Sequence, residues 1–503
     1  MRTKNSIKNF ITVTISNIIN FIFIFIAQTL FIKILGIEYA GLNGLFTNVL
    51  AVLSLFELGI GNAIIYNLYK YIHNDDKEHI KSLMQFYKKA YNIIAVFILI
   101  VGIAIIPLLQ FIVKEVTVDI NIYVVYILFL LSTVASYILA YKRSIIFASQ
   151  RNYIINIIHT LYIVLLNIFQ LLILFFTKNY YLYITIKIIF VLLENIVINV
   201  KANKDYPYLL EKNVKPLDTD AKNDVVTRVK ALFIHKTSAI VTHGTDNILI
   251  SAFFGISTVG LYTSYSYIVS CVETFFKSIV ASTSASVGDL LVEKDYKKRN
   301  QVFKKIVLLN YWIAVVTSTC LLFLMEPFIK IWLGKKFLLE TVVLIAIVLN
   351  YFQGMMRNTF GIFKDAAGIW VEDRFVPLIQ LSINLVSSIM CIKIFGLCGV
   401  FIGTVISSFM LWFYSYPKFV YKKILNRSYK EYIYNLIKKI LLFIGIEIFV
   451  YLIIKQIIIK NILLQLIINL FICLVIPCVI LLIMNYNKSE FTYYKNMIIK
   501  KYK

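Results

Sequence analysis

"LGIEYAGLNGLF" (Leu35–Phe46) and "FGISTVGLYTSY" (Phe254–Tyr265) are the same phrase written twice. Their glycines fall in register at an offset of 219: Gly36 matches Gly255 and Gly41 matches Gly260. Held without gaps, the offset also brings Asp76 onto Asp295. Each copy sits at a turn between two long apolar runs, and both run through the membrane in the same direction. That is a parallel internal repeat, the pattern of transporters whose substrate site lies between two halves.

The runs around these turns fix the class. The chain has 503 residues, is 60% hydrophobic and has a mean hydropathy of +0.81. Long apolar stretches recur along its whole length, which soluble domains do not support. About fourteen are long enough to span, at 10–33, 43–69, 90–113, 120–141, 154–176, 182–200, 231–254, 259–287, 306–329, 338–361, 376–394, 397–417, 434–455 and 462–485. None shows the extended alternation of a barrel, so the expected fold is all-α and polytopic.

The net charge of +25 does not indicate nucleic acid. With the amino terminus in the cytoplasm, most of the 51 Lys and Arg fall in cytoplasmic segments. That asymmetry is the positive-inside rule, and it implies that both termini are cytoplasmic. The basic tail "YYKNMIIKKYK" is also suited to anionic membrane lipids. Six cysteines (Cys271, Cys320, Cys391, Cys398, Cys473, Cys478) lie in or beside spans and form no CxxC, so they read as packing residues. No motif calls for a metal or another cofactor.

The longest loop, 201–230, is a polar linker with two prolines. It contains "DTD" (Asp218–Asp220), which some glycosyltransferases use to hold a metal-bound nucleotide sugar, but the loop is too short for such a domain and reads as solvated linker. Two further cytoplasmic segments have one apolar helical face: Ile80, Leu83, Met84 and Tyr87 in one, Val302, Phe303 and Ile306 in the other. Both are expected to lie in the headgroup region.

Polar residues inside spans are the functional signal, because a charge near the bilayer centre costs about 2.5–3.5 kcal/mol on insertion scales. In "IHKTSAIVTHGTDNILISAFFG" (Ile234–Gly255), His235, Lys236, His243, Asp246 and Asn247 form one stripe opposite an apolar face. Asn9, Ser16 and Asn20 stack in the first span. Glu57 and Asn62 occur in the second, Lys187 and Glu194 in the sixth, Glu273 and Lys277 as an i, i+4 pair in the eighth, and Arg357 and Asn358 in the tenth. Together they suggest a polar cavity between helical groups. Lys236, Lys277, Arg357 and Arg143, with Asn20, are candidates for binding an anionic substrate, Arg being shaped for phosphate. Asp246, Glu57 and Glu194 are candidates for taking up a coupling proton or sodium ion.

Three stretches, "LGIEYAGLNGLFTNVLAVLSLFELGIGNAIIYNLYK", "TDNILISAFFGISTVGLYTSY" and "FKDAAGIWVEDRFVPLIQLSINLV", together resemble bacterial polysaccharide-unit flippases, the Wzx-type branch of the multidrug/oligosaccharidyl-lipid/polysaccharide exporter superfamily. The resemblance runs through the whole chain. It implies two six-helix lobes, 1–200 and 229–420, separated by the linker 201–228 and followed by two additional spans in 431–485 and the basic tail 486–503. It further implies alternating-access transfer of undecaprenyl-pyrophosphate-linked oligosaccharide units across the bacterial cytoplasmic membrane for surface polysaccharide, next to other polysaccharide-assembly membrane proteins. The family's acidic residue of the seventh span falls on Asp246. Its "DAAG…EDR" stretch falls on Asp365–Gly368 and Glu372–Arg374, at a cytoplasmic turn. One departure matters: lipid II flippases of the superfamily carry arginines in their first spans, and here the first two spans have none away from their ends. The alternatives are a small-molecule or multidrug antiporter of the same superfamily and a membrane-embedded polymerase or glycosyltransferase. The latter needs a long extramembrane loop with catalytic side chains, which the sequence lacks, so no enzyme is expected.

Overall fold

The computed structural model describes residues 2–54, 60–113, 118–211, 214–218, 244–292, 295–369, 372–457, 459 and 461–501. Among these every regular element is helical. In hydrocarbon a helix satisfies its own backbone, and the apolar runs leave it no other option.

The chain divides into two compact units, 1–260 and 261–503, with the boundary inside the helix Ile256–Ala281. The first unit holds α1 (Arg2–Leu35), α2 (Ile37–Leu53), α3 (Ile60–His73), α4 (Lys77–Ile105, continuing by a tighter turn to Ile112), α5 (Ile122–Tyr137), α6 (Arg143–Ala148), α7 (Asn152–Thr177), α8 (Tyr180–Asp205) and α9 (244–254). The second holds most of α10 (Ile256–Ala281), then α11 (Ser284–Val292), α12 (Tyr296–Trp332), α13 (Thr341–Ala366), α14 (Val376–Phe395), α15 (Cys398–Met410), α16 (Tyr429–Gln456), α17 (Ile462–Asn485) and α18 (Ser489–Lys501). The stretch Leu411–Ile424 carries α15 onward as a π-helix.

Local chemistry sets the breaks. Gly36 and Gly255 end their helices at φ of 105° and 81°, a conformation that favours glycine. Asp76 and Asp295, the other matched pair of the repeat, perform the same task in each copy. Asp76 accepts from the His79 backbone N–H at 3.1 Å, and Asp295 from those of Lys297 and Lys298 at 2.9 and 3.1 Å. Each is the N-cap of a long helix. Asn121, Asn179, Ser428 and Asn461 cap α5, α8, α16 and α17 in the same way.

The repeat also packs on itself. A Cβ on Gly41 would overlap the carbonyl oxygen of Ile256 and sit 3.1 Å from the Gly260 nitrogen. A Cβ on Gly260 would overlap the carbonyl oxygen of Ile37 and sit 3.1 Å from the Gly41 nitrogen. Ser257 Oγ donates to Glu38 Oε1 at 3.3 Å. Ile37 corresponds to Ile256, Glu38 to Ser257 and Gly41 to Gly260, so equivalent residues touch each other reciprocally, as across a two-fold axis. Only glycine permits helices to approach this closely.

Eight helices are long and apolar enough to cross a membrane among the described residues, nine if the bent pair α5–α6 counts as one. The long helices α10, α13 and α16 fall outside that set, and they carry Glu273 and Lys277, Arg357, and Glu447 respectively. Ile437, Leu441, Ile444, Ile448 and Leu452 stand exposed along α16, a surface for lipid rather than water.

One expectation is corrected. Ile80, Leu83, Met84 and Tyr87, like Phe303 and Ile306, are buried inside the protein. The helices α4 and α12 begin at Lys77 and Tyr296, so these faces are the first turns of long helices packed on their own units, not segments lying on headgroups.

Candidate functional site

The first unit contains a cavity of about 540 Å³ lined by Tyr87, Tyr91, Arg143, His159, Tyr162 and Glu194, among others. Three consecutive elements build its charged wall. The segment after α5 turns by 42° through Leu139, whose φ of 63° is left-handed, and delivers Arg143 at the start of α6. Helix α7 supplies His159 and α8 supplies Glu194 and Asn195. Asn195 stabilises the bend by donating to the carbonyls of Ala135 and Ser136 at 3.3 and 3.2 Å, at the end of the broken helix.

Arg143 Nη2 lies 3.0 Å from Glu194 Oε2 and donates to Asn195 Oδ1 at 2.9 Å. His159 Nδ1 lies 2.9 Å from Glu194 Oε1. Both carboxylate oxygens are thus engaged. Glu194 is 4% exposed, whereas Arg143 and His159 keep 32% and 43% open. The order of the groups is ring, carboxylate, guanidinium. A proton reaching His159 would meet a buried counter-charge already balanced by Arg143. Arg143 and Glu194, expected in separate roles, share one ion pair.

Asn20 and Asp246 lie elsewhere in the same unit. Asn20 is half-buried, and its Oδ1 has no hydrogen-bond partner among the described residues. Asp246 is buried in α9 beside Asn247. Lys187 is buried in part, with its ammonium 5.4 Å from the centre of the Phe129 ring. Lys236, His235, His243 and Glu57 lie outside the described residues.

In the second unit, Lys277 Nζ is 2.5 Å from Glu273 Oε1, one turn along α10. Gly354 of α13 brings Arg357 to the same place: a Cβ there would lie 3.5 Å from Glu273 Oε1 and 3.9 Å from Arg357 Nη2. Arg357 is half-buried and has no carboxylate within 4.0 Å among the described residues.

Sequence reasoning passed over three features. His159 and Asn195 gain meaning only from neighbours on other helices. Glu447 of α16 accepts from Thr319 Oγ1 at 2.8 Å, while its other oxygen is buried without a partner among the described residues. The signal for Glu447 was present, a lone acid in the thirteenth apolar run.

The other motifs are structural. Asp218 of "DTD" lies 3.0 Å from His79 Nε2, and Glu211 lies 2.6 Å from Lys81, so the linker is tied to the start of α4. His79 also lies 2.6 Å from Asp76, and the His79 backbone N–H holds the Asp76 carboxyl below its ordinary pKa. In "EDR", Asp373 is fully buried against Lys364 and accepts from Ser415 Oγ at 3.0 Å. Glu372 lies 2.6 Å from Lys423, whose ammonium lowers the Glu372 pKa. These contacts fix the turn between α13 and α14 to the π-helix.

No protein-family model matches the chain. No curated protein matches it either. Solved structures do. The lipid II flippase MurJ, in an inward closed conformation, matches at a TM-score of 0.69 and 13% identity, over 96% of this chain and 99% of its own. The Vibrio cholerae MATE transporter VcmN matches at 0.58 and 13%, over 83% and 97%. An inward-facing multidrug resistance MATE transporter of the MOP superfamily matches at 0.56 and 15%, over 77% and 91%. All three are transport proteins. At these identities the likeness is one of fold: the chain has the helical, multi-pass membrane fold that MurJ and the MATE transporters share.

Proposed function

We propose that this protein is a flippase for polyprenyl-pyrophosphate-linked oligosaccharide, moving repeat units for surface polysaccharide across the bacterial cytoplasmic membrane by alternating access. Arg357 carries the reading. A guanidinium well inside α13, nine residues from its nearer end, lacks a carboxylate partner among the described residues. Such a cation is costly in a membrane unless an anion visits it. Planar guanidinium donors suit a pyrophosphate. A drug antiporter for cationic substrates would place a spare acid there instead. The fold supports the same choice, since the flippase matches 96% of this chain and the MATE transporters 77% and 83%.

In this mechanism the sugars and pyrophosphate travel through polar surroundings while the polyprenyl tail stays in lipid. Arg357 and Lys277 meet the pyrophosphate, with Glu273 holding Lys277 in position. Lys236, Arg143 and Asn20 are further binding candidates. Glu194 with His159, Asp246 and Glu57 are the candidates for a coupling proton or sodium ion. The absence of arginines from the interior of the first two spans favours a surface-polysaccharide unit over the peptidoglycan precursor.

The test is the leaflet in which lipid-linked units accumulate when the protein is depleted in cells without a redundant exporter. Trapping of surface-polysaccharide units on the inner leaflet supports the reading. Trapping of the peptidoglycan precursor would reassign the substrate to lipid II. Unpolymerised units outside would favour a polymerase, and normal export would favour the small-molecule antiporter.

A further inference from the structure

At the end of the π-helix the second unit carries a cleft that the transport mechanism does not use. It is about 680 Å³ in volume and lies where Leu411–Ile424 turns into α16. Its walls include Phe413, Tyr414, Lys418, Lys422, Arg427 and Tyr429. The π-helix explains why these residues meet. Its wider turn, with i to i+5 bonds in place of i to i+4, brings Lys418 under Phe413 five residues on and Lys422 to the same side one turn further. The chain then turns through Asn426, at a φ of 52°, and brings Arg427 and Tyr429 opposite.

The charges are arranged for an incoming anion. Lys418 and Lys422 are exposed. Lys418 Nζ donates to Tyr414 Oη, a neutral partner, at 2.7 Å, and Lys422 has no carboxylate within 4.0 Å among the described residues. Arg427 shares Glu431 at 2.7 Å. Three cations against one acid leave a positive cleft. Phe413, Tyr414 and Tyr429 are 47%, 42% and 51% exposed at its rim, the aromatic composition of a membrane–water interface. Basic pockets with this setting bind lipid headgroups.

We infer that this cleft is a binding site for the phosphate of an anionic membrane phospholipid, with the aromatic rim against the glycerol and upper acyl chains. The inference is independent of the transported substrate.

Native mass spectrometry of the full-length protein, titrated with phosphatidylglycerol and separately with phosphatidylcholine, tests it. Wild type should retain phosphatidylglycerol about fivefold to tenfold better. Lys418→Gln/Lys422→Gln should bring that preference to about onefold to twofold, while Lys418→Arg/Lys422→Arg keeps it, as does Lys88→Gln/Lys89→Gln at an exposed lysine pair on α4 of the first unit that is not part of the cleft. Unchanged retention of phosphatidylcholine confirms that the variants are folded. Equal binding of the two lipids by wild type, or the same loss in the Lys88/Lys89 variant, would overturn the inference. So would displacement of the phospholipid by an equal concentration of inorganic pyrophosphate, which would make the cleft a site for soluble anions.

Discussion

The two units share a scaffold device and differ in how they spend their charges. In each, an aspartate at the matched position of the repeat caps a long helix, Asp76 in the first and Asp295 in the second. In the first unit the buried acid Glu194 is engaged on both oxygens, by Arg143 and His159. In the second, Lys277 is engaged by Glu273 while Arg357 has no carboxylate partner among the described residues. Breaking a partnered charge pair leaves a stranded ion, so such a pair resists change and serves as framework. An unpartnered guanidinium is available to a ligand. The repeat therefore supplies two similar frames, and the charge placed in each decides what that frame can do.

The glycine contact is where the largest effect is expected. Gly41→Val and Gly260→Val both drive a side chain into a backbone carbonyl that cannot move aside. Each should cost about 3 kcal/mol or more, seen as loss of folded protein in thermal unfolding followed by size exclusion. The two should be similar in size and less than additive together, because they disturb one reciprocal contact. Unequal effects would contradict the reciprocity of the contact between the two copies of the repeat.

The charge sets should separate next. Glu194→Gln leaves Arg143 without its counter-ion and should destabilise the protein by about 2 kcal/mol, reduced from the fully buried case because Arg143 is partly open to the cavity. Arg143→Gln/Glu194→Gln should recover part of that loss. Arg357→Gln should change the melting temperature little and transport strongly. If Arg357→Gln were the destabilising variant, Arg357 would be a framework residue and the contrast between the units would fail.

The caps give the smallest effect. Asp76→Ala and Asp295→Ala should each cost about 1 kcal/mol. Asp76→Ala should cost more, since it also loses His79. The Asp76 pKa is lowered in the folded protein, so its contribution is complete above the unfolded carboxyl value and disappears as pH falls through the folded one. The difference in melting temperature between wild type and Asp76→Ala should therefore close in acid, below about pH 4.

How much of this is legible in the sequence depends on whether a residue's reason is local. Gly36, Gly255, Asp76 and Asp295 are readable, because a positive φ and a helix start each demand a particular residue type at that position. The apolar runs are readable for the same reason. The face of Ile80, Leu83, Met84 and Tyr87 is readable only as a face: its period is the same whether it meets lipid or protein, and here it meets protein. The partnership of Arg143 with Glu194 and His159 is not readable at all. It joins three elements through a bend at Leu139, and nothing in the spacing of the charges reveals which of them will meet. The resemblance to polysaccharide-unit flippases likewise points to a substrate class without naming the side chains that hold it.

The most direct measurement is translocation by the purified protein in liposomes, following access of an added glycosidase to undecaprenyl-pyrophosphate-linked oligosaccharide placed in the inner leaflet. Wild type should expose the oligosaccharide, Arg357→Ala should not, and Arg357→Lys should do so in part, since it restores the charge without the paired donors. Equal exposure by wild type and Arg357→Ala, or none by a folded wild-type protein with both ion gradients supplied, would contradict the account.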